Sequence, residues 1–265
     1  MSSTLNGVAL ITGAASGIGR GVAVTLAQEG CSRLFLADID LDGLHVTREA
    51  IVANSPEVQV EVCQADISSE DDVKRMINTC VLRLGRMDYA LNIAGAVPTR
   101  TPIVQTSVDT FDKIIRINQY GTWLCHQLEI QQMLQQEPVA DHGGVRGSIV
   151  TVSSLAGINA SSGMSPYSAS KHSIIGLVKT DAQDYGPHGI RINGICPGMI
   201  DTELFRKTSP PDAPAKLEKA TPLRRLGKPE DVAYLAAFLC SSKSSFLHGA
   251  VIPCDGGLVL QRSVI

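Results

Sequence analysis

The sequence predicts an α/β fold: a single doubly wound parallel sheet of about seven strands with helices on both faces. Three observations carry that expectation. Short apolar runs alternate with segments whose apolar residues recur at helical spacing. A glycine turn, Gly13-Ala14-Ala15-Ser16-Gly17-Ile18-Gly19, joins the first run, Val8 to Ile11, to the first such helix. No linker or charge block divides the 265 residues, so the chain reads as one domain spanning 1–265.

Composition narrows the function classes. Apolar residues make up 44% and charged residues 18%, close to ordinary globular usage and enough for a large core. Lys plus Arg is 23 against 26 for Asp plus Glu, a net charge of -3, which argues against a nucleic-acid footprint. The seven cysteines are scattered without C-x-x-C spacing and read as reduced, mostly buried thiols. The six histidines form no ligand pattern, so no metal is expected. The start, Met1-Ser-Ser-Thr-Leu-Asn-Gly, has no basic leader, and no apolar stretch reaches roughly 18 residues. A soluble, cytoplasmic protein without a membrane partner is the expectation.

In chain order, the glycine turn is followed by Val22, Leu26 and Ala27 at helical spacing and closed by Gly30. Gly13, Gly17 and Gly19 allow tight backbone geometry that brings main-chain N-H groups to a phosphate at the positive end of the new helix. The next run, Leu34 to Ala37, ends at Asp38, about 20 residues beyond the glycines. Together these predict a Rossmann-type dinucleotide site. Asp38 would accept both hydroxyls of the adenosine ribose and repel the 2'-phosphate of NADP, and Ser16 stands where a phosphate-binding Arg would be expected. NAD is therefore preferred over NADP, the alternative for Asp38 being a strand-terminal turn residue. Val58 to Ala65 leads to Asp66-Ile67 and then to Ser68 or Ser69 as helix cap. Asp66 would either reach the adenine amino group or cap that helix. Val73, Met76, Ile77, Cys80 and Leu84 stripe the helix, and Met87 to Ile93 runs into Ala94-Gly95, small enough to leave room for a cofactor.

A helical region from about Thr106 to Leu134 follows, with Phe111, Ile114, Ile115, Leu124 and Leu128 as core candidates. Asn118 in its middle reads, by itself, as a surface residue or one making a defined hydrogen bond. Residues 135–147 read as a surface loop that includes Asp141-His142-Gly143-Gly144. Ser148 to Ser153 forms the fifth strand and ends at Ser154. Pro166 then opens a helix in which Tyr167 and Lys171, four residues apart, share a face. Taken alone, such a pair is a helix-face phenol and a solvated charge. As a base at neutral pH, the tyrosine would need its phenolate stabilised by about 3 pKa units, roughly 4 kcal/mol, part of it from the neighbouring cation. Right-handed crossovers bring the Gly13 turn, Asp38, Gly95, Ser154 and the tip after Ile195 to one sheet edge, where ligands bind. Ile190 to Cys196 and Ala250 to Cys254 complete the sheet, with Pro229 opening the helix between them.

Thr12-Gly13-x-x-x-Gly17-x-Gly19, Asn92-Ile93-Ala94-Gly95, Asn118, Ser154, Tyr167-x-x-x-Lys171 and Pro197-Gly198 resemble, in order and spacing, the short-chain dehydrogenase/reductase superfamily. The match covers essentially the whole chain, departing at Ile93, where many members have a second Asn, and at the extended 135–147 loop. The resemblance implies hydride transfer with Tyr167 as general acid/base. Lys171 would lower the tyrosine pKa and hold the nicotinamide ribose, Ser154 would bind the substrate oxygen, and Asn118 would hold a relay water. Implied cofactor contacts are Gly13, Ser16, Gly17, Ile18, Gly19, Asp38, Asp66, Ile67, Asn92, Ala94, Gly95, Tyr167, Lys171, Pro197, Gly198, Ile200 and Thr202. Residues 199–223 would form a lid without a clear helical stripe. Its apolar members, with Leu155, Ile158, Met164 and Met199, point to a small hydrophobic substrate, such as a terpenoid, steroid-like or polyketide-derived secondary alcohol, oxidised to a ketone. The family habit implies a homodimer or homotetramer. The alternatives are an NADPH-dependent reductase of a polyketide or acyl carbonyl, and a dinucleotide-binding sensor or scaffold without turnover.

Overall fold

The computed structural model describes residues 5–140 and 144–260. Its strands are β1 (Val8–Thr12), β2 (Arg33–Asp38), β3 (Gln59–Gln64), β4 (Tyr89–Asn92), β5 (Gly147–Val152), β6 (Ile190–Pro197) and β7 (Val251–Cys254). They form one sheet in the order β3-β2-β1-β4-β5-β6-β7, every neighbouring pair parallel. The chain winds outward from β1 through β2 to β3, then returns to lay β4 on the other side of β1. That reversal opens a crevice beyond the carboxyl ends of β1 and β4, the place where open α/β sheets bind ligands.

Nine α-helices are present among the described residues: α1 (Gly17–Gln28), α2 (Leu41–Asn54), α3 (Glu70–Leu84), α4 (Val108–Ile114), α5 (Thr122–Leu134), α6 (Ser165–Tyr185), α7 (Glu203–Thr208), α8 (Ala213–Ala220) and α9 (Pro229–Cys240). The strands alternate their side chains between two cores, because successive residues of a strand point to opposite faces. Ala9 and Ile11 of β1 join Val22 and Leu26 of α1, Leu44 and Ile51 of α2, and Val232 and Leu239 of α9. Val8 and Leu10 face the other way, against Val73, Met76 and Cys80 of α3, Leu124 and Met133 of α5, and Ile174 and Val178 of α6. Each fully buried Leu, Ile or Val contributes about 1.5–3 kcal/mol. All seven cysteines are free, six buried and Cys254 half-buried.

Three regions differ from the sequence reading. The predicted long helix is interrupted: between α4 and α5 the residues Ile115–Gly121 take π-helical bonding. Gly121 presses against the loop after β3 so closely that a Cβ there would sit 2.9 Å from Ile67 Cγ1. The wider turn buries Asn118 completely, correcting its reading as a surface residue. Phe111, expected in the core, is 46% exposed on α4, because the face it shares is not covered by another described element. Residues 199–223, expected to lack a helical stripe, contain two helices, α7 and α8. Their stripe was weak because both are polar and rest on i,i+4 ion pairs, Glu203 with Lys207 at 2.8 Å and Asp212 with Lys216 at 2.5 Å. The expected surface loop at 135–147 is closed by a Val139–Val145 bridge, with Gln136 buried and bonded to both the N-H and C=O of Met87. Met1–Thr4 and Asp141, His142 and Gly143 lie outside the described residues.

Candidate active site

The site begins where β1 meets α1. Gly13 has φ +72° and its missing Cβ would lie 2.7 Å from the Ala94 nitrogen at the end of β4; a Cβ on Gly19 would overlap the Gly13 carbonyl. The turn is therefore wedged between its own helix and the neighbouring strand, in a geometry only glycine permits. Thr12 stitches the same junction, its hydroxyl accepting from Ile93 N at 3.1 Å and Ala94 N at 3.3 Å. Ser16, extended and exposed, precedes α1 without a side-chain cap, and Ile18 is half-buried behind it. A bare backbone cradle at a helix N-terminus fits a dinucleotide pyrophosphate.

Asp38 stands at the end of β2 with its carboxylate oriented by main chain. Oδ2 accepts from Ala15 N at 3.0 Å and Oδ1 from Asp40 N at 3.1 Å. A carboxylate offers about four lone-pair positions, so capacity for ribose hydroxyls remains. Asp66 is exposed and closes its own turn, accepting from Ser68 N at 2.8 Å, while α3 is capped by Ser69, whose hydroxyl accepts from Asp72 N at 3.3 Å. The Ile67 side chain is buried against Gly121, so only its main chain is left for a ligand.

The catalytic candidates come together across the ends of β4 and β5. Ser154 starts a short 3-10 turn, Leu155–Gly157, its hydroxyl accepting from Ala156 N at 3.1 Å and opposing the upward shift of the Tyr167 phenol. Lys171 Nζ donates to Val152 O at 3.0 Å and lies 5.9 Å from the Tyr167 ring centre. Burial lowers the Lys171 ammonium to about 8 and pushes the Tyr167 phenol up, with the Ser154 hydroxyl opposing. Desolvation is the largest influence on the phenol here, and the Lys171 ammonium is directed at the Val152 carbonyl. Asn118 Oδ1 accepts from Ala96 N at 2.7 Å, while its Nδ2 donates to Ala96 O at 2.9 Å and Ser170 Oγ at 3.2 Å. The amide clamps the loop after β4 and is committed to protein partners. Gly95 sits beside both side chains: a Cβ there would make a tight 3.3 Å approach to Asn118 Oδ1 and an ordinary 3.6 Å contact with Lys171 Nζ.

With this geometry, the relatives can be compared. A family model described as Enoyl-(Acyl carrier protein) reductase matches residues 13–259. The chain is 34% identical over 257 residues to the levodione reductase of Leifsonia aquatica, covering 94% of this chain and 93% of the relative. It is 35% identical over 256 residues to the 3-oxoacyl-acyl-carrier-protein reductase of Thermotoga maritima, covering 96% and 98% respectively. The crystal structure of levodione reductase superposes with TM-score 0.90 at 33% identity, covering 97% of this chain and 98% of that one. The chain belongs to the short-chain dehydrogenase/reductase family. As a short-chain dehydrogenase/reductase it is an oxidoreductase that uses a nicotinamide dinucleotide.

Not every family-implied contact points into the dehydrogenase site. Asn92, expected at the cofactor, turns its amide beneath the sheet and donates to the buried Glu129 Oε2 at 2.8 Å, because at this register its side chain faces α5. Ile200 is buried in the α1/α9 core and bridged to Gly227. Pro197 ends β6, and Gly198 is pressed on the loop after β7, its N-H bonded to Cys254 O at 3.0 Å. Thr202 caps α7 by accepting from Phe205 N at 3.2 Å, and its Cγ2 lies 3.3 Å from where a Gly17 Cβ would be, so the turn and the start of α7 face each other. Sequence reasoning missed the support of the catalytic helix: Ser153 Oγ donates to Lys171 O at 2.7 Å, and Ser170 Oγ to Tyr167 O at 2.8 Å. Both serines adjoin motif residues, which is the signal that could have flagged them. Cys196 packs against Ser153, Ser154 and Lys171, and burial pushes its thiol up. Among the described residues no group of three His, Cys, Asp or Glu side chains could hold a metal ion, and no helix is long and apolar enough to cross a membrane.

Proposed function

We propose that the chain is an NAD-dependent oxidoreductase acting on a hydrophobic secondary alcohol and its ketone, with alcohol oxidation as the working direction. The reading rests on Asp38, whose carboxylate is aimed by Ala15 N at the end of β2 beside a turn whose exposed side chain is Ser16 and not a base. A 2'-phosphate would meet a negative charge there. When bound, the nicotinamide supplies the hydride acceptor or donor. Tyr167 takes the alcohol proton in oxidation and returns it in reduction, Ser154 holds the substrate oxygen, and Lys171 stabilises the phenolate through its charge. Asn118 holds the loop at Ala96 against the catalytic helix. Buried Leu155 and Met164, half-buried Met199 and Phe205, and the partly exposed Ile158 and Leu204 support an apolar substrate held under the 199–223 lid. The same reading carries a homodimer or homotetramer in the cytoplasm.

One observation favours a second reading, NADPH-dependent reduction of an acyl or polyketide carbonyl: the family model and the Thermotoga maritima relative are both named for acyl-carrier-protein substrates. Initial rates on a panel of cyclic ketones, secondary alcohols and 3-oxoacyl thioesters, each with NAD(H) and NADP(H), separate the two. The expected result is kcat/KM at least about tenfold higher with NAD(H) on the alcohols and ketones, with Tyr167→Phe losing about 10²–10⁴-fold. Preference for NADP(H) on thioesters transfers the assignment to the second reading, and full activity in Tyr167→Phe refutes the acid/base role.

A further inference from the structure

Two residues that the catalytic chemistry does not use hold the carbonyls of the glycine turn from beneath. Thr47, in the middle of α2 and 0% exposed, places its hydroxyl 2.8 Å from Ala14 O and 3.0 Å from Gly43 O. Arg20, on the first turns of α1, donates its Nε to Thr47 Oγ1 at 3.0 Å and its Nη2 to Ala15 O. Because Arg20 can only donate, the Thr47 oxygen is the acceptor in their bond, which leaves the single hydroxyl hydrogen for a carbonyl. Of the two carbonyls, Ala14 O is the nearer. Gly43 brings α2 this close: a Cβ there would lie 2.8 Å from the Ala15 Cβ and 3.0 Å from Ala15 O.

In a trans peptide the C=O and the following N-H point in opposite directions. Drawing Ala14 O down toward Thr47 therefore aims Ala15 N-H upward, where it meets Asp38 Oδ2 at 3.0 Å. Drawing Ala15 O toward Arg20 likewise aims Ser16 N-H to the side opposite the guanidinium. Two side chains thus fix the planes of two consecutive peptides, and through them both the phosphate cradle and the carboxylate at the ribose position.

We propose that Thr47 and Arg20 are positioning residues for the dinucleotide: a bracket between α2 and α1 that sets cofactor affinity and the rejection of a 2'-phosphate without touching the reacting atoms. The proposal rests on the reading that the glycine turn and Asp38 seat the cofactor. Thr47→Val keeps the side-chain volume and removes the hydroxyl, and Thr47→Ser restores it.

NADH binding followed by nicotinamide fluorescence, with kcat and cofactor KM measured on any turned-over substrate, tests the bracket. Thr47→Val is expected to raise the NADH Kd and the cofactor KM about tenfold and to narrow the NADH/NADPH affinity ratio, with kcat at saturating cofactor within about twofold of wild type. Thr47→Ser is expected within about threefold of wild type in Kd. A Thr47→Val protein with a lower Tm but an unchanged Kd overturns the proposal, since the residue is then structural only. So does equal weakening in Thr47→Ser, which would assign the effect to packing of the methyl. If Thr47→Val does not fold, Arg20→Lys carries the test: it keeps the charge and loses the fork, and is expected to raise Kd about fivefold, an unchanged value overturning the bracket. A wild-type protein that binds neither NADH nor NADPH would remove the cofactor seat itself, a failure distinct from equal affinities in wild type and variants.

Discussion

Replacing Lys171 with Met removes the ammonium that lies 5.9 Å from the Tyr167 ring centre while keeping most of the side-chain volume. At an effective dielectric of about 20, a charge pair at that separation is worth about 2.8 kcal/mol, or about 2 pKa units. The phenol begins at a disadvantage, because burial already holds it above its ordinary value. Losing the cation therefore raises the tyrosine further, and at pH 7 the fraction available as base falls about 100-fold. Alcohol oxidation measured as kcat/KM is expected to fall by a similar factor at neutral pH and to approach wild type above about 8, where Lys171 has lost its proton in the wild type as well. A variant that loses rate by the same factor at every pH would refute the argument and leave Lys171 acting through ribose contacts alone. Unfolding supplies an independent readout. A lysine whose folded value is about 8, against 10.5 unfolded, makes the unfolded state bind more protons between those limits, so this group raises stability as pH rises through that window. The difference in stability between wild type and Lys171→Met should therefore shift in favour of wild type from about pH 8 to 10.5.

Arg191 is 5% exposed and closes the C-terminus of α9 by donating to Cys240 O, Ser241 O, Ser244 O and Ser244 Oγ at 3.0–3.3 Å. Arg191→Met is expected to cost roughly 2–4 kcal/mol in urea unfolding, the lost charged hydrogen bonds outweighing the relief of a buried charge; a loss below about 0.5 kcal/mol would show the opposite balance. Glu129 is fully buried, and burial raises its carboxyl above 4.5, so the folded state holds a proton the unfolded state releases. Its contribution is complete below about 4.5 and is lost as pH rises through the raised folded value. Glu129→Gln, which keeps an acceptor for Asn92, should therefore gain stability relative to wild type as pH rises from 5 to 8 in thermal unfolding, and a difference independent of pH would contradict this.

The chain's periodicities were legible because they are local. Alternating apolar runs, Gly13, Gly17 and Gly19 at the turn, Asp38 at a strand end, Pro166 and Pro229 in first helical turns, and the Tyr167/Lys171 spacing all act within a few residues of themselves, through sterics, missing N-H donors and helical pitch. Parallel crossovers then oblige the strand ends to meet, so the convergence of the Gly13 turn, Asp38, Gly95 and Ser154 also follows from the pattern. Other properties depend on what distant segments bring near. Asn118 is buried because Gly121 lets a π-turn press on Ile67, and Phe111 is exposed because no described element covers its face of α4. Asn92 faces Glu129 and not the rim, and Thr47 finds Ala14 only because Gly43 admits α2 against the turn. Sequence by itself determined the fold and the family and singled out the candidate side chains of the site. The tertiary structure alone decided their electrostatics, because the desolvation that raises Tyr167 and lowers Lys171, and the polar partners that orient each group, are supplied by residues far away in the chain.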